Sequence, residues 1–280
     1  MENFGFILAL LAALAWGTYA VPFKLSKSEN LSQFQVFMAV GIFISTLMIC
    51  FLFGYPIALN IYGLIAGVMW GGANALILTA LSNLGISKTM PVASSLVIIS
   101  TFLWGTYAFG EATGLLVGFL GILIIIAGVM LVSSSSSGNQ TQSSKKGFAA
   151  AIVAGLIFGT QLVPLKFGHV ETRDSFFSIS LGILIIGVTI AIVKRVKFEK
   201  KGIGLSILSG VIWNIGNLAS LLSIALIGLS KAMPISQLAT LVGVCWGLFY
   251  FKEIKERKYG LQILIGAVIL MIGIVTLGFA

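Results

Sequence analysis

The sequence predicts an all-α integral membrane protein, with ten transmembrane helices arranged as two inverted five-helix repeats. Three observations carry that expectation. Hydrophobic residues make up 58% of the 280, charged residues only 9%, and the mean hydropathy is +1.09, whereas a soluble domain carries roughly 25% charged residues. The apolar residues fall into runs of about 20, the length of helix that a bilayer core requires. Finally, the chain repeats itself at an offset of 142 or 143 residues.

The first run, 4–22, ends in WGTYAVPFK (Trp16–Lys24). Its start lacks the basic region and small-residue cleavage pattern of a signal peptide, so it is read as a span. The second, 33–53, opens on Gln33-Phe34-Gln35, and the third, 57–81, carries WGGAN (Trp70–Asn74). The fourth, 89–109, follows ISKTMPVA (Ile86–Ala93). There Pro91 fits a first helical turn, where a missing N–H costs nothing, and it pushes the preceding residue out of helical geometry. The fifth span is 112–132. Then comes a polar stretch, SSSSSGNQTQSSKK (133–146), read as a flexible linker between a first repeat, 1–132, and a second, 147–280.

The second repeat follows the first in order. The sixth span, 147–165, carries FGTQLVPLK (Phe158–Lys166), matching the first at an offset of 142. The seventh, 175–193, opens in FFSISLGI (Phe176–Ile183). The eighth, 203–227, carries WNIGN (Trp213–Asn217), matching the third at 143. The ninth, 232–250, is entered through LSKAMPIS (Leu229–Ser236), with Pro234 in the place of Pro91. It ends in WGLFYFKE (Trp246–Glu253), against WGTYAFGE (Trp104–Glu111) in the fourth. The tenth is 259–279.

An odd number of helices per copy makes the second enter the membrane from the opposite side, an arrangement typical of secondary transporters. The basic residues agree. Loops after odd-numbered spans carry 14 Lys and Arg, and loops after even-numbered spans carry 3. The odd loops are therefore expected in the cytoplasm and both termini outside. The net charge of +9 is explained by this bias rather than by nucleic acid. Lys24, Lys166, Lys88 and Lys231 recur in both copies, so they fall on both faces and cannot all serve orientation. They either snorkel from helix ends or gate a cavity, with Pro91 and Pro234 fixing the helix entrances and Glu111 and Glu253 as candidate partners.

Polar residues deep in a membrane span usually face the bundle interior. Trp70 with Asn74, and Trp213 with Asn217, are spaced i, i+4 and share helix faces. Gln35, Thr18, Tyr19, Thr160, Gln161 and Gln237 extend the set. Each has two readings, packing or a substrate contact. Amides, hydroxyls and rings with almost no deep charge suit a neutral polyhydroxy solute. A sugar phosphate would require cations in the cavity. Trp104 and Trp246 read as interface anchors or packing, and Cys50 and Cys245 as small hydrophobes. Lone His169 lies in HVETRD (His169–Asp174), expected to be a solvated outer loop. Asn30-Leu-Ser and Asn139-Gln-Thr match the glycosylation pattern, but both fall on the expected cytoplasmic side and are read as chance matches.

The blocks WG-x3-VP-x-K, WNIGN and WG-x3-FKE, with Gln33-Phe34-Gln35 and FFSISLGI, resemble the glucose/ribose porter family of sugar uptake proteins. That family belongs to the drug/metabolite transporter superfamily. The resemblance implies the drug/metabolite transporter-like fold and a central cavity that opens alternately to each side. It implies a transporter of the plasma (inner) membrane, with a small-molecule solute and the lipid bilayer as partners and no cofactor. Coupling to a proton or sodium is left open, since no Asp or Glu lies deep in a span, and so is homo-oligomerisation. Alternatives are an exporter of amino acids or other small metabolites, a carrier of anionic sugar derivatives, and a membrane enzyme or sensor. The last would need a charged catalytic cluster that the sequence does not show.

Overall fold

The computed structural model describes residues 2–26, 30–110, 114–135, 142–227, 232 and 235–277. Among these, all regular structure is helical. In order the helices are α1 (Glu2–Thr18), α2 (Val21–Ser26), α3 (Leu31–Phe53), α4 (Ile61–Leu84), α5 (Ile86–Phe109) and α6 (Leu115–Ser133). The second copy has α7 (Gln142–Thr160), α8 (Val163–Phe167), α9 (Thr172–Val193), α10 (Ile203–Ile227), α11 (Ala239–Cys245), a π-helical turn (Trp246–Tyr250) and α12 (Arg257–Leu277). Nine segments among the described residues are long and apolar enough to cross a membrane, and Ala239–Tyr250 is a shorter apolar helix.

The first and sixth spans are each broken, and at equivalent places. Tyr19 and Ala20 separate α1 from α2, and Gln161 and Leu162 separate α7 from α8. Pro22 and Pro164 follow each break at the second position of the short helix, where the fixed φ and absent N–H are tolerated. Broken helices at membrane depth free backbone groups and occur where protein or a cavity can satisfy them.

Two expectations are corrected. The fourth helix begins at Ile86, so Pro91 lies inside α5 rather than at its entrance. The early start is permitted because its first amides are capped from the other copy, as described below. The ninth span is not one helix from 232, since Gln237 and Leu238 form a turn before α11. In addition, α7 begins at Gln142, so the end of the expected linker is helical. Asn30, which matches a glycosylation pattern, N-caps α3 by accepting from the Gln33 amide at 2.9 Å, a contact worth about 1 kcal/mol.

The packing runs largely between copies. The helix α1 packs on α10, and its counterpart α7 packs on α4. In the same way α3 packs on α10 and α9 on α4, α5 on α7 and α11 on α1, while α6 packs on α12. Glycine permits the closest crossings. A Cβ at Gly67 of α4 would collide with the Ile179 carbonyl of α9. One at the equivalent Gly210 of α10 would collide with the Met38 carbonyl of α3. Small residues at such crossings let membrane helices gain dispersion contacts where lipid offers no hydrophobic drive.

Candidate functional site

Where the copies meet at mid-helix, their matched tryptophans touch. The Trp70 and Trp213 ring centroids are 4.3 Å apart at 50°, and Phe158 stands 5.7 Å from Trp70 at 45°. Trp16, equivalent to Phe158 at an offset of 142, lies against Gly216 of α10, and its indole N–H is buried without a partner.

One turn along α4 from Trp70, Asn74 is fully buried. Its Nδ2 donates to Gln35 Oε1 at 2.7 Å and contacts Met38 Sδ at 3.4 Å. Gln35 Nε2 in turn donates to the Gly71 carbonyl at 3.1 Å, which fixes the pair. Asn74 Oδ1 has no partner. Because Gln35 presents its oxygen, the orientation of the Asn74 amide is set, and Oδ1 is the unused acceptor. A buried polar group left unpaired costs about 1–3 kcal/mol.

Of the other sequence-derived candidates, Tyr19 shares the core cluster of Trp70, and the rest are spread over several helices. Tyr19 is buried at the α1–α2 break, and its carbonyl accepts from Ser209 at 2.6 Å. Asn217 is half-buried on α10. Gln161 and Gln237 are half-buried at the two helix breaks. Thr18 and Thr160 accept from tryptophans of the opposite copy, Trp246 Nε1 to Thr18 at 3.1 Å and Trp104 Nε1 to Thr160 at 3.0 Å. Trp104 and Trp246 are therefore cross-copy donors as well as packing. Asn214, which sequence reasoning passed over, is buried and donates to Ser45 at 2.9 Å and Thr46 at 3.1 Å. Its position inside WNIGN was the available signal.

A second, charged cluster lies at helix ends. Lys88 is buried, 9% exposed, within α5. Glu253 reaches a different set. Its carboxylate accepts from the Ile86 amide at 2.8 Å, the Ser87 amide at 2.9 Å and the Ser87 hydroxyl at 2.7 Å. It pairs with Lys24 Nζ at 2.9 Å. Burial pushes this carboxyl up, but the Ser87 hydroxyl and amide, the Ile86 amide and Lys24 outweigh it, so the net shift is downward. Glu111, Asn139, Lys231 and Pro234 lie outside the described residues.

The family model of sugar transport proteins matches residues 7–280. The "Glucose uptake protein GlcU" of Bacillus subtilis is 26% identical over 98% of each chain. The "Probable glucose uptake protein GlcU" of Staphylococcus aureus is 29% identical over 99% of each. In three dimensions, a solved crystal structure of another protein superposes with a TM-score of 0.66 over 98% of this chain and 95% of that one, at 13% identity, which speaks for the fold alone. With nine apolar helices of spanning length, the molecule is a multi-pass integral protein of the plasma membrane. A match over nearly its whole length shows that the chain belongs to the sugar transport protein family.

Proposed function

We propose that the chain takes up a neutral monosaccharide by alternating access, as a secondary transporter built from two inverted five-helix copies. The observation that carries this reading is the meeting of Trp70 and Trp213 beside an Asn74 amide with one unsatisfied end. Indole faces cover the C–H faces of a sugar ring, and amides pair with its hydroxyls. The site residues Trp16, Trp70, Trp213, Asn74, Gln35 and Asn217 carry no formal charge. Glucose uptake by the relatives agrees in class. The reciprocal pairings, α1 on α10 against α7 on α4 and Trp246–Thr18 against Trp104–Thr160, support a two-fold axis relating the copies. A second reading, transport of an anionic sugar derivative, draws on Lys88, whose burial places a cation inside the bundle end.

The test is thermal stabilisation of the purified protein by glucose, ribose, glucose 6-phosphate and an amino acid, followed by uptake in vesicles. Stabilisation by a free sugar and not by the others is expected, and stabilisation by the phosphate alone would favour the second reading. Asn74→Ala should lower sugar uptake about 5- to 150-fold, the equivalent of 1–3 kcal/mol. Normal uptake by that variant would return Asn74 to a packing role.

A further inference from the structure

The Glu253 carboxylate is set in a built cradle. Gly85, with φ of +81°, and Gly247 both abut it, and a Cβ on either would press against Oε2. The chain is bent to deliver it. After the π-helical turn Trp246–Tyr250, Lys252 takes φ of +50°, a left-handed conformation that costs a non-glycine residue about 1 kcal/mol. The Glu253 amide then closes back on the Gly247 carbonyl at 3.0 Å. One side chain thereby joins three elements: the end of the ninth span, the N-terminus of α5 in the other copy, and Lys24 at the end of α2. A carboxylate on two N-terminal amides is favoured by the helix dipole, and the glycines admit it without strain.

The sequence carries every part of this cluster twice. Lys166 stands for Lys24, Gly228 and Ser230 for Gly85 and Ser87, and Gly105 and Glu111 for Gly247 and Glu253, all at offsets of 142 or 143. In the first copy the left-handed position before the glutamate is a glycine, Gly110, with φ of +64°.

We infer that Glu253 is the lock of one gate of this transporter: by holding Lys24 and the Ile86 and Ser87 amides together, it keeps the basic-loop face shut in this conformation. The inference rests on the alternating-access reading above. Opening that face separates the ninth span from α5. This costs the carboxylate the three donors of α5 together and leaves Lys24 of α2 as its one partner. Lys24 is the charged half of the lock and Ser87 its neutral half.

The lock is tested with Met90→Cys as a reporter in the full chain carrying Cys50→Ala and Cys245→Ala. Met90 lies one turn inside Ser87, 8% exposed, against Gly243 of α11. A membrane-impermeant maleimide is applied to inside-out vesicles. Labelling should be slow with Glu253 present and roughly tenfold faster in Glu253→Gln, since a shift of about 1.4 kcal/mol in the open/closed balance is tenfold. Lys24→Met and Ser87→Ala should give smaller increases, and Lys24→Arg should stay near the unmodified rate. An unchanged rate in Glu253→Gln overturns the proposal. So does an equal acceleration at Ile125→Cys, a reporter buried between α6 and α12, because that would mean general loosening. If Glu253→Gln does not fold, Ser87→Ala, which removes a single hydroxyl, decides on the same terms. Labelling needs no solute. Failure of every sugar to bind, with the labelling shifts present, would therefore overturn the sugar reading and leave the lock standing.

Discussion

The two helix-break ends of this molecule, α1–α2 and α7–α8, share a sequence pattern and differ in how deeply their short helices are buried. At the first, Val21, Pro22, Phe23 and Ser26 of α2 are buried and Lys24 is paired with Glu253. At the second, only Leu165 of α8 is buried, and the exposed Lys166 lies over the Phe109 ring at 4.3 Å. One turn deeper the difference vanishes, since both ends carry the same tryptophan-to-threonine bond, at 3.1 and 3.0 Å. The tryptophan-to-threonine bond is therefore common to both ends, while the short helices outside it differ in burial. That is the pattern expected of a two-state device whose states exchange the roles of its copies.

The largest effect expected concerns sidedness and is all-or-none. If the copies are inverted, cysteines at Ser136 and at the C-terminal tail label from opposite sides of intact cells, the tail from outside. Labelling of both from outside would remove the basis for treating the two ends as opposite faces. Next in size is charge reversal. Lys24→Glu places a second carboxylate where Lys24 stood 2.9 Å from Glu253. Breaking a partly buried pair in this way should destabilise by roughly 2 kcal/mol. Lys166→Glu changes a charge at an exposed position, where solvent screens it more strongly, and should cost less than the change at Lys24. Thermal melting in detergent compares the two, and equal losses would break the comparison.

Much of this was legible in the sequence. The eighth span, 203–227, has the same bounds in the structure, because nothing but apolar length decides it. The pairing of Trp70 with Trp213 and of Asn74 with Gln35 joins residues that periodicity and burial cost had already singled out. Helix starts set from a distance were not legible. Ile86 is capped by a residue 167 positions away, and no local signal competes with Pro91 as an entrance. For the same reason Glu253 could be singled out from its repeat as a candidate partner of the recurring lysines, while its partners, Lys24 and Ser87 rather than Lys88, are set by the fold. Trp16 was hidden because its equivalent is Phe158, so the N–H that distinguishes it has no counterpart in the second copy.

A smaller effect tests the symmetric frame. Trp246→Phe and Trp104→Phe each remove one indole donor to a threonine, Thr18 and Thr160 respectively. Each should cost about 1 kcal/mol, seen as similar falls in melting temperature. Thr160 also bonds Ser100 at 3.3 Å and the Leu156 carbonyl at 2.9 Å, so it keeps partners when Trp104 is lost. A loss at one end more than about twice that at the other would mean that the deep layer too differs between faces, and that the frame is not shared.

The smallest effect is a flat pH response. The folded Glu253 carboxyl ionises below its ordinary value, which for glutamate is about 4.3. A group lowered on folding contributes stability that is fully present above the unfolded value and is lost as pH falls through the folded one. The charged groups around it are Lys24 from α2 and, next along α5 from its Ser87 donor, Lys88. The measure is the ratio of Met90→Cys labelling in Glu253→Gln to that with Glu253 present, taken at each pH so that the thiolate fraction cancels. With the carboxylate ionised across the whole interval, this ratio should hold constant from pH 8 to pH 5 and fall toward one only under stronger acid. A midpoint between those limits would show that the four donors do not hold the charge. Glu253 would then titrate in the range where a proton could couple to transport, and the closed face would be a pH-sensitive gate instead of a fixed lock.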